Sequence, residues 1–183
     1  MPQDRRPKRP PKPLDSARLE ELALAYVARF ATSAAKLEQY LRRKLRERGW
    51  AEEGDAPVAG LVDRYVAAGY VDDLAYARSK SGSLLRRGFG ERRVGQALHA
   101  AGIGEAVRDE VRADAAAQRQ SALALARKRR FGPFGRAELD RPQREKQIAA
   151  MLRAGHPLDS ARELVNAASE AAAEAWAAGH GEE

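Results

Sequence analysis

Residues 69–103, GYVDDLAYARSKSGSLLRRGFGERRVGQALHAAGI, hold one complete helical pattern and most of a second. Gly69 ends the pattern before them and Tyr70 follows it as an apolar anchor. Asp72 and Asp73 then supply side-chain oxygens suited to capping the free N–H groups of a new helix. That helix carries Leu74, Ala77, Leu84 and Leu85 on a helical spacing. It ends at Gly88, after Arg86 and Arg87, whose charges suit a C-terminal dipole. Phe89 closes the corner. From Gly90 a second amphipathic run is expected to bury Val94, Ala97, Leu98 and Ala101, and Gly102 with Ile103 repeats the glycine-then-apolar stop.

Working outward, the same plan recurs. Three helices end as LRERGW, LHAAGI and LRAGH, with glycines at 49, 102 and 155, so both intervals are 53 residues. Phe30, Phe89 and Phe131 each stand at the corner before one of these helices, and VRDEV at 107–111 compares with ARELV at 161–165. A period near 50 with three helices per unit predicts a tandem array, each unit burying one face against its own members and its neighbours. The expected fold is all-α: three tandem three-helix repeats forming an elongated, curved array. Its divisions are a disordered, basic, Pro-rich arm at 1–14 and repeats at 15–70, 71–116 and 117–183, the last with an Ala-rich C-terminal extension.

Within repeat one, a helix from Asp15 and Ser16 to Phe30 is expected to bury Leu19, Leu22, Ala23, Tyr26 and Phe30. A second, Ser33 to Arg48, carries Leu37, Leu41 and Leu45 at steps of four, with Tyr40 beside them. A third begins at Asp55 with Pro57 in its first turn and buries Val58, Leu61, Val62, Tyr65 and Val66. Repeat three begins near Gln118, runs through Leu123 and Leu125 to RKRR at 127–130, and breaks at FGPFG. Asp140 and Pro142 open a helix holding Ile148, Met151 and Leu152. Pro157 opens a last one that buries Leu158, Ala161, Leu164 and Val165.

Composition supports helix and narrows function. Alanine occupies 38 of 183 positions while Val, Ile and Thr together occupy 12, too few β-branched residues for a sheet. Cysteine is absent, which excludes disulfides and thiolate chemistry and fits a reducing cytosol. The longest apolar run, Leu22 to Ala28, is far below the roughly 20 residues that cross a bilayer, so no membrane partner is expected. His99, His156 and His180 are scattered without partners at ligand spacing, so no metal or other cofactor is expected. No nucleophile elbow or phosphate loop is present, and the chain reads as no enzyme. Asp72 and Asp73 read as caps, not as a metal or acid/base pair.

The formal charge of +7 points instead to a polyanionic partner. Residues 1–14 hold five Lys/Arg against one Asp, so local clusters must carry the argument for the rest of the chain. The candidate partner-facing residues are Arg42, Arg43 and Lys44 in repeat one, Arg86, Arg87, Arg92 and Arg93 around the central corner, and Lys128, Arg129 and Arg130 in repeat three. A curved array would bring them onto one surface. Gln96 alone among the central helix's residues offers an amide for base reading, so phosphate contact without base readout is expected.

The stretches GYVDDLAYA (69–77), RRGFGERRVGQALHAAGI (86–103) and ALALARKRRFG (122–132), set in a three-unit plan, resemble the RecX regulators of the RecA recombinase over about residues 16–166. The sequence departs from that pattern at Ala97, where glutamate is usual, and at Ala154 and His156, where RGF is common. The resemblance implies a non-enzymatic, cytoplasmic, monomeric regulator in DNA repair, recombination and the SOS response. It would inhibit RecA by binding the RecA–DNA filament groove, limiting filament growth, ATPase and strand exchange, with phosphate contacts to single- or double-stranded DNA. Gly69, Tyr70, Asp72, Asp73, Gly88, Phe89 and Gly102 match its motif as caps and corners. The alternative is a helical DNA-binding protein that acts without RecA.

Overall fold

A computed structural model describes residues 12–136 and 138–179, and among them the ordered elements are helical. In chain order they are α1 (Ser16–Val27), α2 (Ala34–Arg48), α3 (Val58–Ala67), α4 (Asp73–Arg86), α5 (Glu91–His99) and α6 (Glu105–Glu110). There follow α7 (Ala115–Arg129), a 3-10 turn (Gly132–Phe134), α8 (Arg141–Arg153), α9 (Leu158–Asn166) and α10 (Glu170–Ala177). An isolated bridge joins Leu14 to Trp50.

Local chemistry sets the starts. Asp15 accepts the Arg18 N–H at 2.8 Å, Asp114 the Ala117 N–H at 2.7 Å, and Ser169 the Ala172 N–H at 3.1 Å. Asp140 and Gln143 form a reciprocal capping box at α8. Five of the stops share one geometry, whereas α2 ends at Gly49 (φ 83°, ψ 171°) without it. The N–H of the residue after the stop bonds back to the carbonyl five residues earlier, at Tyr70–Tyr65, Phe89–Leu84, Ile103–Leu98, Phe131–Ala126 and His156–Met151, with distances from 2.9 to 3.2 Å. The glycine-then-apolar signal is the sequence trace of this closure, which needs a left-handed residue between the two partners.

Four of those five left-handed positions are glycine; the fifth is Arg130, at φ 57°. A side chain there costs about 1 kcal/mol relative to glycine. Arg130→Gly is therefore expected to raise the melting temperature by a few degrees, and a thermal melt followed by circular dichroism checks it.

Three apolar cores form. One gathers Leu14, Leu19, Leu37, Leu41, Leu61 and Val71; a second Ala77, Leu84, Val94, Leu98 and Ile103; a third Ala122, Leu125, Met151, Leu164 and Ala177. The described residues divide into two compact units, one ending at Asp73 and the other starting at Leu74, so the second and third cores share a unit.

Several expectations fail for local reasons. Tyr70 is 62% exposed, its ring leaning on Tyr65 at 5.5 Å, while Val71 turns into the core in its place. Phe30 lies beyond the end of α1 and is half exposed, touching the Tyr26 ring at 5.3 Å, because Tyr26 itself stacks on Tyr40 and fills that corner. Val66, in the last turn of α3, and Leu158, in the first of α9, fall outside the packed stripes and are exposed. Pro57 stands before α3, not inside its first turn, and α7 starts at Ala115, ahead of Gln118.

The Pro-rich arm falls largely on residues outside the described ones, but its last residue does not belong with it. Leu14 is fully buried, its N–H bonded to the Gly49 carbonyl and its carbonyl to the Ala51 N–H. The Ala-rich end forms α10, and Ala173 and Ala177 complete the third core against α7. Asp73, expected to serve its own helix, sends its carboxylate across the first unit to the Ala34 N–H at 2.8 Å, beside the Ser33 cap of α2.

Candidate anion-binding cleft

The RGFG corner, residues 87–90, is clamped through its backbone against α7 and the corner between α8 and α9. The Ser121 hydroxyl donates to the Phe89 carbonyl at 2.8 Å, and the Gly90 N–H donates to the Ala154 carbonyl at 2.9 Å. His156 Nε2 lies 3.0 Å from the Gly88 carbonyl; a carbonyl only accepts, so this nitrogen carries the proton. Approach is close because the residues are small. A Cβ on Gly88 would meet Leu125 at 2.9 Å, and one on Gly155 would meet the Arg93 backbone nitrogen at 2.6 Å.

His156 is 4% exposed, and that burial holds its pKa below the ordinary 6.5, against the raising effect of the Gly88 bond. The unfolded chain takes up a proton near pH 6.5 and the buried ring does not. The stability supplied by the neutral ring is therefore whole above that pH and is lost as pH falls from about 6.5 through the lower folded value. Melting temperature should drop as pH falls below about 6.5, and His156→Gln, whose amide can still donate to Gly88, should flatten that drop.

Beside this clamp opens a cleft of about 300 Å³, lined by Arg87, Arg93, Lys128, Arg129 and Arg153 over an apolar wall that includes Phe89, Leu125 and Phe131. Among the described residues no carboxylate lines it, and none of the five cations forms an ion pair. Helices α4, α7 and α8 end here, each bringing about half a negative charge, so five cations leave roughly +3.5 in excess. Arginines after α4 and in the last turns of α7 and α8 help their own helices. Arg93 does not: it sits in the first turn of α5, where a cation opposes the dipole, and its recorded partner is Gln96 at 3.3 Å.

The cations named from sequence divide accordingly. Arg87, Arg93, Lys128 and Arg129 come together in the cleft, whereas Arg86 and Arg130 are exposed outside its lining. Arg92 is turned to the Leu152 carbonyl, where it caps the end of α8. Arg42, Arg43 and Lys44 belong to the other unit and are engaged at home. Arg42 pairs with Glu38 at 2.7 Å, and Lys44 and Arg43 pair with Glu47 at 2.7 and 3.6 Å, the Lys44 hydrogen bond foremost in lowering the Glu47 pKa. Arg153 escaped the sequence reading, although it lies in the repeated stop LRAGH; that segment served as a marker of period instead of as a source of charge. Arg127, inside the RKRR run, is tied to Glu174 of α10.

Among the described residues no group of His, Asp or Glu side chains is placed to hold a metal, and no helix is long and apolar enough to cross a membrane. Among the described residues the ordered elements are helical, and the cleft gathers five cationic side chains with no carboxylate in its lining.

Comparison with known proteins gives the family. The chain is 33% identical over 175 residues to regulatory protein RecX of Myxococcus xanthus, covering 89% of this chain and 91% of that protein. It is 30% identical over 145 residues to regulatory protein RecX of Agrobacterium fabrum, covering 75% and 76%. A crystal structure of RecX from Lactobacillus salivarius superposes with a TM-score of 0.64 over 82% of this chain and 94% of that one, at 15% identity. A second RecX crystal structure gives 0.63 over 81% and 70%, at 18% identity. No protein-family model matches the chain. The chain belongs to the RecX family of regulatory proteins.

Proposed function

We propose that this protein regulates RecA, as an inhibitor that lies in the groove of the RecA–DNA filament and limits filament growth, ATPase and strand exchange. The observation that carries the reading is the cleft that gathers Arg87, Arg93, Lys128, Arg129 and Arg153 with no carboxylate in its lining. A cluster of this kind suits the regular phosphates of a nucleoprotein filament, and membership of the RecX family supports RecA as the partner. Arg86, Arg130 and the Arg42–Lys44 patch add weaker contacts, and several weak contacts on one ligand multiply in affinity. The protein acts in the cytoplasm, as a monomer and without a cofactor.

Direct reading of duplex sequence without RecA is the weaker alternative, because the cleft lining has no Asn or Gln to pair with adenine and no carboxylate to pair with cytosine. The deciding assay is RecA-driven strand exchange and ATPase with the purified protein at a few per cent of the RecA concentration. Inhibition at that ratio is expected. An unaffected reaction, together with a footprint at a defined DNA sequence in the absence of RecA, would reverse the preference.

A further inference from the structure

The cleft's wall is as informative as its charges. A purely electrostatic phosphate site needs no apolar surface, yet here Phe89, Leu125 and Phe131 line the same 300 Å³ as the cations. The Arg87 guanidinium lies 5.2 Å from the Phe89 ring centroid, so cation and aromatic form one surface. A duplex presents sugar and phosphate on a convex rod and has nothing apolar to lay in such a concavity. An unstacked base has, because every base carries a π-face that aromatic side chains accept whatever its identity. The volume, at the small end of ligand pockets, suits one nucleotide.

We propose that this cleft takes one unstacked nucleotide of a single strand of nucleic acid, its base against Phe131 and its flanking phosphates on the surrounding cations. The assignment rests on the reading of the cleft as an anion site and deepens it, naming the strand form that is held. The left-handed Arg130 turns the chain so that Phe131 lies in the cleft wall.

The test uses the full chain without RecA and follows fluorescence anisotropy of a labelled oligothymidylate, an abasic strand of equal length and a duplex of equal length, with thymidine monophosphate as competitor. The oligothymidylate should bind about tenfold or more tighter than the abasic strand, and tighter than the duplex. Its affinity should fall with salt at a log–log slope of about −1.4, as two flanking phosphates on a single strand imply. Phe131→Leu, checked by circular dichroism, should narrow the gap between the two single strands and leave abasic binding unchanged. Equal affinity for abasic and normal strands, a duplex that binds as well, or a mononucleotide that competes at the oligonucleotide's own concentration would each overturn the proposal. Intact inhibition of strand exchange with no preference for bases would remove this assignment alone. A base preference without inhibition would remove the proposed function alone.

Discussion

Gly90→Ala is expected to cost about 3 kcal/mol or more and to lower the melting temperature by roughly 10 °C. At φ −77° the backbone of Gly90 suits alanine, so the effect is steric. The added Cβ would lie 2.4 Å from the carbonyl carbon and oxygen of Gly155 and 2.5 Å from the His156 nitrogen. Those are main-chain atoms and cannot rotate aside. Relief requires residues 154–156 to withdraw, which breaks the Gly90–Ala154 hydrogen bond and pulls His156 from the Gly88 carbonyl. Gly95→Ala is the matched comparison. It lies in the middle of α5, where an added methyl would find nothing within 4 Å, and it should be neutral or stabilising by about 0.5–1 kcal/mol. Thermal melts of the two variants side by side decide the matter, and equal melts would show that the corner yields more easily than its contacts imply.

The second large effect concerns binding. Replacing Arg87, Arg93, Lys128 and Arg129 together by alanine should weaken association with a RecA–DNA filament about a hundredfold or more near 0.1 M salt and flatten its salt dependence by about 3 to 4 log units per log unit, as four lost phosphate contacts imply. Folding should survive, because none of the four is in an ion pair and all are exposed at an open cleft. Removing like charges from one another also relieves repulsion. Triple replacement of Arg42, Arg43 and Lys44 should do much less, since Glu38 and Glu47 already offset most of that patch. Co-sedimentation with filaments over a salt series reads both variants, and an unchanged slope in the fourfold variant would place the binding surface elsewhere.

What could be read from sequence was whatever a few consecutive residues decide. Helix stops at Gly69, Gly88, Gly102 and Gly155 and starts at Asp15, Ser33 and Asp140 were legible because a cap or closure lies within five residues of its partner. The all-helical class followed from the same signals. Long-range choices were not legible. Nothing near Asp73 says that its carboxylate serves Ala34, nothing near Arg92 says that it will cap α8, and nothing near Leu14 distinguishes it from the prolines beside it. Tyr70 and Val71 are adjacent and both apolar, so pattern alone cannot say which one the chain turns inward. The cleft was half legible: four of its cations sit in runs that draw attention, and Arg153 stands alone. The role of His156 became intelligible only with the Gly88 carbonyl opposite it.

Asp73 has a practical consequence for anyone who wishes to take the molecule apart. It is the first residue of α4, yet its carboxylate finishes the start of α2, so both halves lay claim to a single amino acid. A fragment trimmed at Gly69 would keep every apolar side chain of its interior but Val71 and still leave the Ala34 amide bare. Pieces that overlap, each carrying its own copy of residues 70–75, should be the soluble ones.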